Sequence, residues 1–210
     1  NVKQYAFKKG EILDILLLSK RASTDSLFKN YRKTVFPIGQ EYGYEGMPSW
    51  PVSEPALQGN YQPEFLIIAK WKNITLRKGF LQNIERVVPD FHEQRRQIWP
   101  TFHLTYYKIK KDLLFSINGN RYNVVSAFWY DKDTKGKKFA KQWIADAKVS
   151  GAGIQLVLAG GTSPFGYHYG ADSFIITSWK DKKAFLNFQK SYDGRYEGQV
   201  AHINQFSLSQ

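Results

Sequence analysis

The chain contains no cysteine. That excludes a disulfide framework, a thiolate zinc site and iron–sulfur clusters. Methionine is nearly absent: the single Met47 is internal, and residue 1 is Asn. A removed signal peptide would account for that start and send the protein to the periplasm or the exterior, whereas a trimmed boundary would leave it cytoplasmic. No apolar run approaches the roughly 20 residues of a spanning helix, so no membrane span is expected. There is no GxSxG, no HExxH and no paired-carboxylate motif. Gly160-Gly161 follows an apolar stretch, but no Gly-Lys-Ser/Thr or GxGxxG comes after it, which removes a nucleotide-binding fingerprint. Only four histidines occur, and no carboxylate cluster accompanies them. Neither a metal site nor a cofactor is therefore expected.

Apolar residues make up 42% of the 210 positions, enough for a packed core. Aromatic residues reach 16%, and rings with a polar handle suit pockets as well as cores. Lys and Arg number 30 against 18 Asp and Glu, a net charge of +12 that favours anionic partners. The basic runs are Lys108-Ile-Lys-Lys111, Lys135-Gly-Lys-Lys138 with Lys141, and Lys180-Asp-Lys-Lys183.

A repeat organises the chain. Glu64-Phe-Leu-Ile-Ile-Ala-Lys-Trp-Lys-Asn73 is echoed by Asp172-Ser-Phe-Ile-Ile-Thr-Ser-Trp-Lys-Asp181, and Trp179 lies 108 residues beyond Trp71. The same offset relates Tyr61 to Tyr169, Gly43 to Gly151 and Phe80 to Phe188. Around these anchors the periodicity predicts strands over 11–20, 64–71 and 101–108, with helices beginning near Ser23 or Thr24 and near Leu76. Pro37 is expected to kink or interrupt the first helix, and Pro89 to disturb the second. Residues 47–60, with three prolines, read as an edge strand or a loop over a cavity. Leu113–Ile117, Asn118-Gly119 and Tyr122–Tyr130 read as a hairpin-like junction. Strands at 124–129, 154–159, 173–179 and 200–208 and helices at 139–151 and 184–192 then repeat the order. The expected architecture is α+β, with two tandem ferredoxin-like β-α-β-β-α-β units at 1–110 and 111–210. Their exposed sheet faces would pack together as a pseudo-dimeric α/β barrel with a central cavity. Such a barrel would be complete in one chain, leaving a monomer or a homodimer through outer surfaces.

Thr34-Val-Phe-Pro-Ile with Glu41-Tyr-Gly, Leu57-Gln-Gly-Asn-Tyr-Gln-Pro63 and Leu66-Ile-Ile with Trp71 resemble the dimeric α/β-barrel superfamily. Within it the chain is most similar to DUF1330-like and antibiotic-biosynthesis-monooxygenase-like domains. The resemblance implies a fusion of two copies that relatives assemble as a dimer. It spans cofactor-free oxygenases, haem degraders and chlorite dismutase-like enzymes, so the superfamily does not decide the function. Haem-degrading relatives carry a histidine in the helix after the tryptophan-ended strand. Leu76–Val88 and Lys182–Tyr192 have none, and His92 reads as part of a solvated basic helix end.

Two constellations could carry chemistry. His103 and His202 occupy matching places in the last strand of each unit. Alternation sets His103 with Thr105 and Tyr107 on one face of its strand, and His202 with Asn204 and Phe206 on the matching face. Facing the barrel interior, one histidine would move a proton while Tyr107 orients the substrate. The bland alternative is a pair of structural histidines. The loop Pro164–Gly170, with Tyr167, His168 and Tyr169, is a candidate lid or wall. Trp71 and Trp179 would end their strands at the barrel rim, where they either stack on a ligand or simply pack. The expected function is a small-molecule-binding protein or cofactor-independent enzyme. The alternative is a non-catalytic protein that binds an anionic polymer, nucleic acid or polysaccharide, through its basic surface. Nucleic acid is disfavoured because the central strands 66–71 and 174–179 are mainly aliphatic and lack the basic-Gly-aromatic pattern of an RNA-recognition motif.

Overall fold

The computed structural model describes residues 1–53 and 55–209. The elements are β1 (Val2–Phe7), β2 (Ile12–Ser19), α1 (Asp25–Glu41), β3 (Tyr44–Gly46), β4 (Trp50–Pro51), β5 (Phe65–Trp71), α2 (Ile74–Val87), α3 (Phe91–Ile98) and β6 (Thr101–Lys108). They continue with β7 (Leu113–Asn118), β8 (Tyr122–Tyr130), α4 (Asp133–Val149), β9 (Gly153–Ala159), β10 (Ser173–Trp179), α5 (Lys182–Lys190) and β11 (Val200–Leu208).

Two antiparallel sheets dominate. The first runs β3-β5-β2-β6 with β4 also on β5, and the second runs β11-β8-β10-β9. β2 and β5 lie side by side at the centre of the first sheet, and β8 and β10 at the centre of the second, the order of a ferredoxin-like sheet. The echoed tryptophans end the central strands β5 and β10. The residue two places beyond each begins a helix cap: the Asn73 side chain accepts from Leu76 N–H at 2.9 Å, and Asp181 accepts from Ala184 N–H at 2.8 Å. Trp-Lys-Asn/Asp thus repeats because a strand end and a helix start are both encoded there. Gly43 (φ 76°) and Gly151 (φ 92°) follow α1 and α4 in the left-handed region that terminates a helix.

Three apolar clusters follow from these layers. One fills the space between the two sheets and includes Tyr5, Leu13, Ile15 and Leu17 of the first half with Val125, Ile176 and Phe206 of the second. The others lie between each sheet and its own helices. The order through the molecule is helices, sheet, sheet, helices.

Several expectations are corrected. The sheets do not close into one barrel: no continuous ladder joins them among the described residues, and they meet at isolated bridges, Val52 with Leu208, Gln58 with Gln205 and Tyr106 with Thr162, and at a few backbone hydrogen bonds such as Ser53 N–H to the Ser207 carbonyl at 2.8 Å. The space expected as a central cavity holds the apolar cluster instead. Residues 113–130 are not a hairpin, because β8 is flanked on both sides by β10 and β11 and offers no edge to β7. β7 pairs instead with β1, where Tyr5 stacks on Phe115 at 4.7 Å. α1 runs through Pro37 without a break, whereas the helix after β5 is interrupted at Pro89 as expected, dividing into α2 and α3 at Val88–Asp90. Finally, Trp71 and Trp179 are not at an open rim. Both are buried beneath their helices, 5% and 0% exposed. Among the described residues no helix is long and apolar enough to cross a membrane.

Candidate functional site

The two helix-facing layers are built on the same plan but filled differently. α1 and α4 span the same length at the repeat offset, so Val35 of α1 corresponds to Trp143 of α4, and Tyr31 to Phe139. Trp143 is fully buried and packs on Phe128 at 5.4 Å and Phe188 at 5.3 Å. The smaller Val35 leaves its space unfilled. A cavity of about 510 Å³ lies there, between the first sheet and α1–α3. Its walls are largely apolar and aromatic, and Phe165 and Tyr167 of the β9–β10 loop reach across from the second unit to line one side.

The charged residues of this layer are buried too. Strand register pairs Asp14 with Ala69, as it pairs Val124 with Thr177 in the second sheet. Asp14 therefore stands where the second unit has Val124. Arg77, six residues beyond Trp71, stands where it has Phe185. Arg77 donates to Asp14 through Nε at 2.8 Å and Nη2 at 2.9 Å, and Trp71 Nε1 donates to the same carboxylate at 2.9 Å. Arg77 Nη1 is buried without a hydrogen-bond partner among the described residues, and the guanidinium lies 4.1 Å over the Tyr106 ring. In the second unit the Trp179 N–H turns to Thr177 Oγ1 at 2.9 Å, and no charge is needed.

Arg95 of α3 is the second buried cation. It is 8% exposed and lines the cavity. Its Nε donates to Tyr31 Oη at 2.9 Å, and its guanidinium lies between Phe91 at 4.1 Å and Phe102 at 4.5 Å. No carboxylate of the described residues forms an ion pair with it.

His92 sits behind this wall rather than on a solvated helix end. Its Nδ1 meets the Tyr167 hydroxyl at 2.7 Å and its Nε2 meets Glu85 at 2.8 Å, so a loop of the second unit is latched to α3 of the first. Burial lowers its pKa from 6.5. Arg95 and Arg96 act in the same direction, and Glu85 opposes them.

The remaining residues singled out above lie elsewhere. His103, Thr105 and Tyr107 lie on the face of β6 turned to the other sheet, while Phe102 and Leu104 line the cavity. His103 Nδ1 donates to the His168 carbonyl, and its ring packs on Tyr61 at 4.7 Å and Tyr169 at 5.8 Å. Tyr169 lies 5.0 Å from Trp129, which lies 4.9 Å from the exposed His202. Tyr169 also donates to Asn204, whose amide donates to the Tyr61 carbonyl at 2.6 Å. His103, His202, Tyr169 and Asn204 therefore share one end of the inter-sheet core, away from the cavity. Burial raises the phenol pKa of both Tyr107 and Tyr169, so neither is a base near neutral pH. The His168 side chain is exposed. Gly161 proves to be a packing glycine: a Cβ there would lie 2.4 Å from Thr105 Cγ2, where the loop crosses β6.

Of the expected ligand-binding residues, Trp71 and Tyr167 line the cavity; Trp179 is sealed in the filled layer. Asp14, Arg77, Arg95 and Val35 were not anticipated. The signals in the chain were a lone acid inside the apolar run Ile12–Leu18 and an arginine where the repeat has Phe185.

His92 and His103, both half-buried, predict an acid sensitivity. Burial also lowers the His103 pKa, against the raising effect of its bond to the His168 carbonyl. A depressed imidazole binds its proton more readily in the unfolded chain, so stability is fully present above 6.5 and falls as pH drops below it. Melting temperature followed against pH should fall less steeply for a His92→Gln/His103→Gln variant than for the parent. Parallel curves would contradict the assignment.

The cavity's donors do not fit a haem. No imidazole or thiolate lines it, both His92 nitrogens are engaged, and burial raises the pKa of the Tyr31 phenol. Among the described residues no group of three or more His, Cys, Asp or Glu side chains gathers to hold a metal.

Comparison with known proteins shows the fold. No protein-family model matches the chain, and no curated protein does. Among solved structures, an anthrone oxidase-like protein is 14% identical with a TM-score of 0.53, covering 98% of this chain and 95% of its own. A mutant chlorite dismutase from Candidatus Nitrospira defluvii is 8% identical with a TM-score of 0.53, covering 97% and 93%. The chlorite dismutase from the same organism in complex with imidazole is 9% identical with a TM-score of 0.51 over the same shares. These likenesses show a shared ferredoxin-like α+β fold.

Proposed function

We propose that this protein binds a small, largely apolar molecule in the helix-facing cavity of its first unit, under the Phe165–Tyr167 loop. The carrying observation is the asymmetry between layers: one is packed solid around Trp143, while its repeat keeps about 510 Å³ open around Val35. Native interiors are close-packed, and a void of this size forfeits contacts unless a ligand occupies it. The chain is read as two ferredoxin-like units, 1–110 and 111–210, standing for the two chains of a dimeric relative. One unit keeps the site and the other serves as scaffold and lends the loop. If a reaction occurs, it occurs on the molecule held here, and the inter-sheet histidines are structural.

The test is a calorimetric titration with two bicyclic aromatic probes, 2-naphthoate and 2-naphthamide. At least one should bind at one site per chain. Val35→Trp, which copies the filled layer, should abolish that binding while leaving the melting temperature unchanged or higher. Binding that survives Val35→Trp, or no binding of either probe, would place the function elsewhere.

A further inference from the structure

Resting on that site, we propose that the ligand is an anion: an aromatic or otherwise apolar acid whose carboxylate, or equivalent oxyanion, pairs with Arg95. A guanidinium remains charged at any working pH, and a buried charge without a counter-ion is costly. The first helix-facing layer encloses two guanidinium groups, Arg77 and Arg95, but one carboxylate, Asp14. Asp14 is engaged by Arg77 in a two-point contact and receives Trp71 N–H as well. Arg95 meets two neutral oxygens instead, the hydroxyls of Tyr31 and Tyr167. The layer thus carries one positive charge more than it balances, and that charge lines the open space. Arg77 Nη1, also on the cavity side of the sheet, is a further donor with no acceptor among the described residues.

The neighbours of Arg95 define the rest of the ligand. Phe91 and Phe102 hold the guanidinium plane through their rings, so its edge is the part presented for hydrogen bonding. The rest of the wall is largely apolar, with Trp71, Phe80 and Trp99 offering ring faces, while Lys20 and Arg32 also line the pocket. An acid with a flat hydrocarbon body satisfies both parts. The Tyr167 hydroxyl bridges Arg95 to His92, which links occupancy to the loop that covers the site.

The same pair of probes separates this inference from the site itself. 2-Naphthoate should bind the parent protein about ten- to a hundredfold more tightly than 2-naphthamide, the value of a charge-assisted hydrogen bond in a buried setting. Arg95→Met should bring the two affinities together, and Arg95→Lys should restore part of the preference. Equal affinities in the parent, with both still lost on Val35→Trp, would overturn the anion and keep the site. Neither probe binding would overturn both. Because the preference is read first in the unmodified protein, the test stands even if Arg95→Met fails to fold. A preference that persists unchanged in a folded Arg95→Met variant would also defeat the assignment.

Discussion

Replacing Asp14 by alanine is expected to cost about 3–5 kcal/mol, among the largest single losses this fold can suffer, because it strands the Arg77 guanidinium in a dry layer. For a chain of this length that corresponds to a fall in melting temperature of about 6–20 °C. The charges themselves are not what the layer needs for stability. The second unit builds the same place from Val124, Thr177 and Phe185, with the Trp179 N–H satisfied by a hydroxyl. Asp14→Val, Ala69→Thr and Arg77→Phe together should therefore melt at or near the parent temperature, with the introduced hydroxyl taking the Trp71 N–H. Thermal denaturation of the single and triple variants measures both. A triple variant as unstable as Asp14→Ala would mean that the ion pair holds the layer together in a way its repeat does not reveal. A single variant with unchanged melting would mean that Arg77 reaches water when its partner goes.

Trp143→Ala should cost a similar amount, about 3–5 kcal/mol, for a different reason: it removes a fully buried ring and leaves a hole. Phe128, Phe188 and Tyr192 lose their shared neighbour at once. The new cavity would differ from the natural one in charge, since the buried arginines among the described residues, Arg77 and Arg95, both belong to the first layer. It should stay dry and accept a neutral guest such as benzene, as engineered apolar cavities do. It should not accept 2-naphthoate. Added benzene should recover part of the lost melting temperature, whereas 2-naphthoate should act on Trp143→Ala only through the first unit. A variant that remains as stable as the parent would show that the layer collapses around the missing ring.

The sequence by itself determined the junctions at which strand gives way to helix. The duplicated Trp-Lys-Asn/Asp pins a strand end to a helix cap, and the 108-residue offset carries the element order with it. It also determined which face of each last strand the histidines take, because alternation along a strand leaves only two choices. Only the tertiary structure decided what that face meets. The half-buried His103 turns toward a space that apolar side chains already fill, while His202 stands exposed at its end, and no periodicity reports how far apart two sheets stand or what lies between them. β1 escaped notice for the same reason: Val2–Phe7 acquires its meaning from β7, more than a hundred residues away, once β8 is enclosed on both edges. The proposed site arises from differences between the two helix-facing layers rather than from their likeness. Valine in place of tryptophan opens the layer, and an aspartate with two arginines charges it. Each substitution is an ordinary residue in the one-dimensional chain. They become a cavity with an unbalanced positive charge only where α1, α2, α3 and the first sheet bring Val35, Asp14, Arg77 and Arg95 around one largely apolar pocket, in which Arg95 has no carboxylate partner among the described residues.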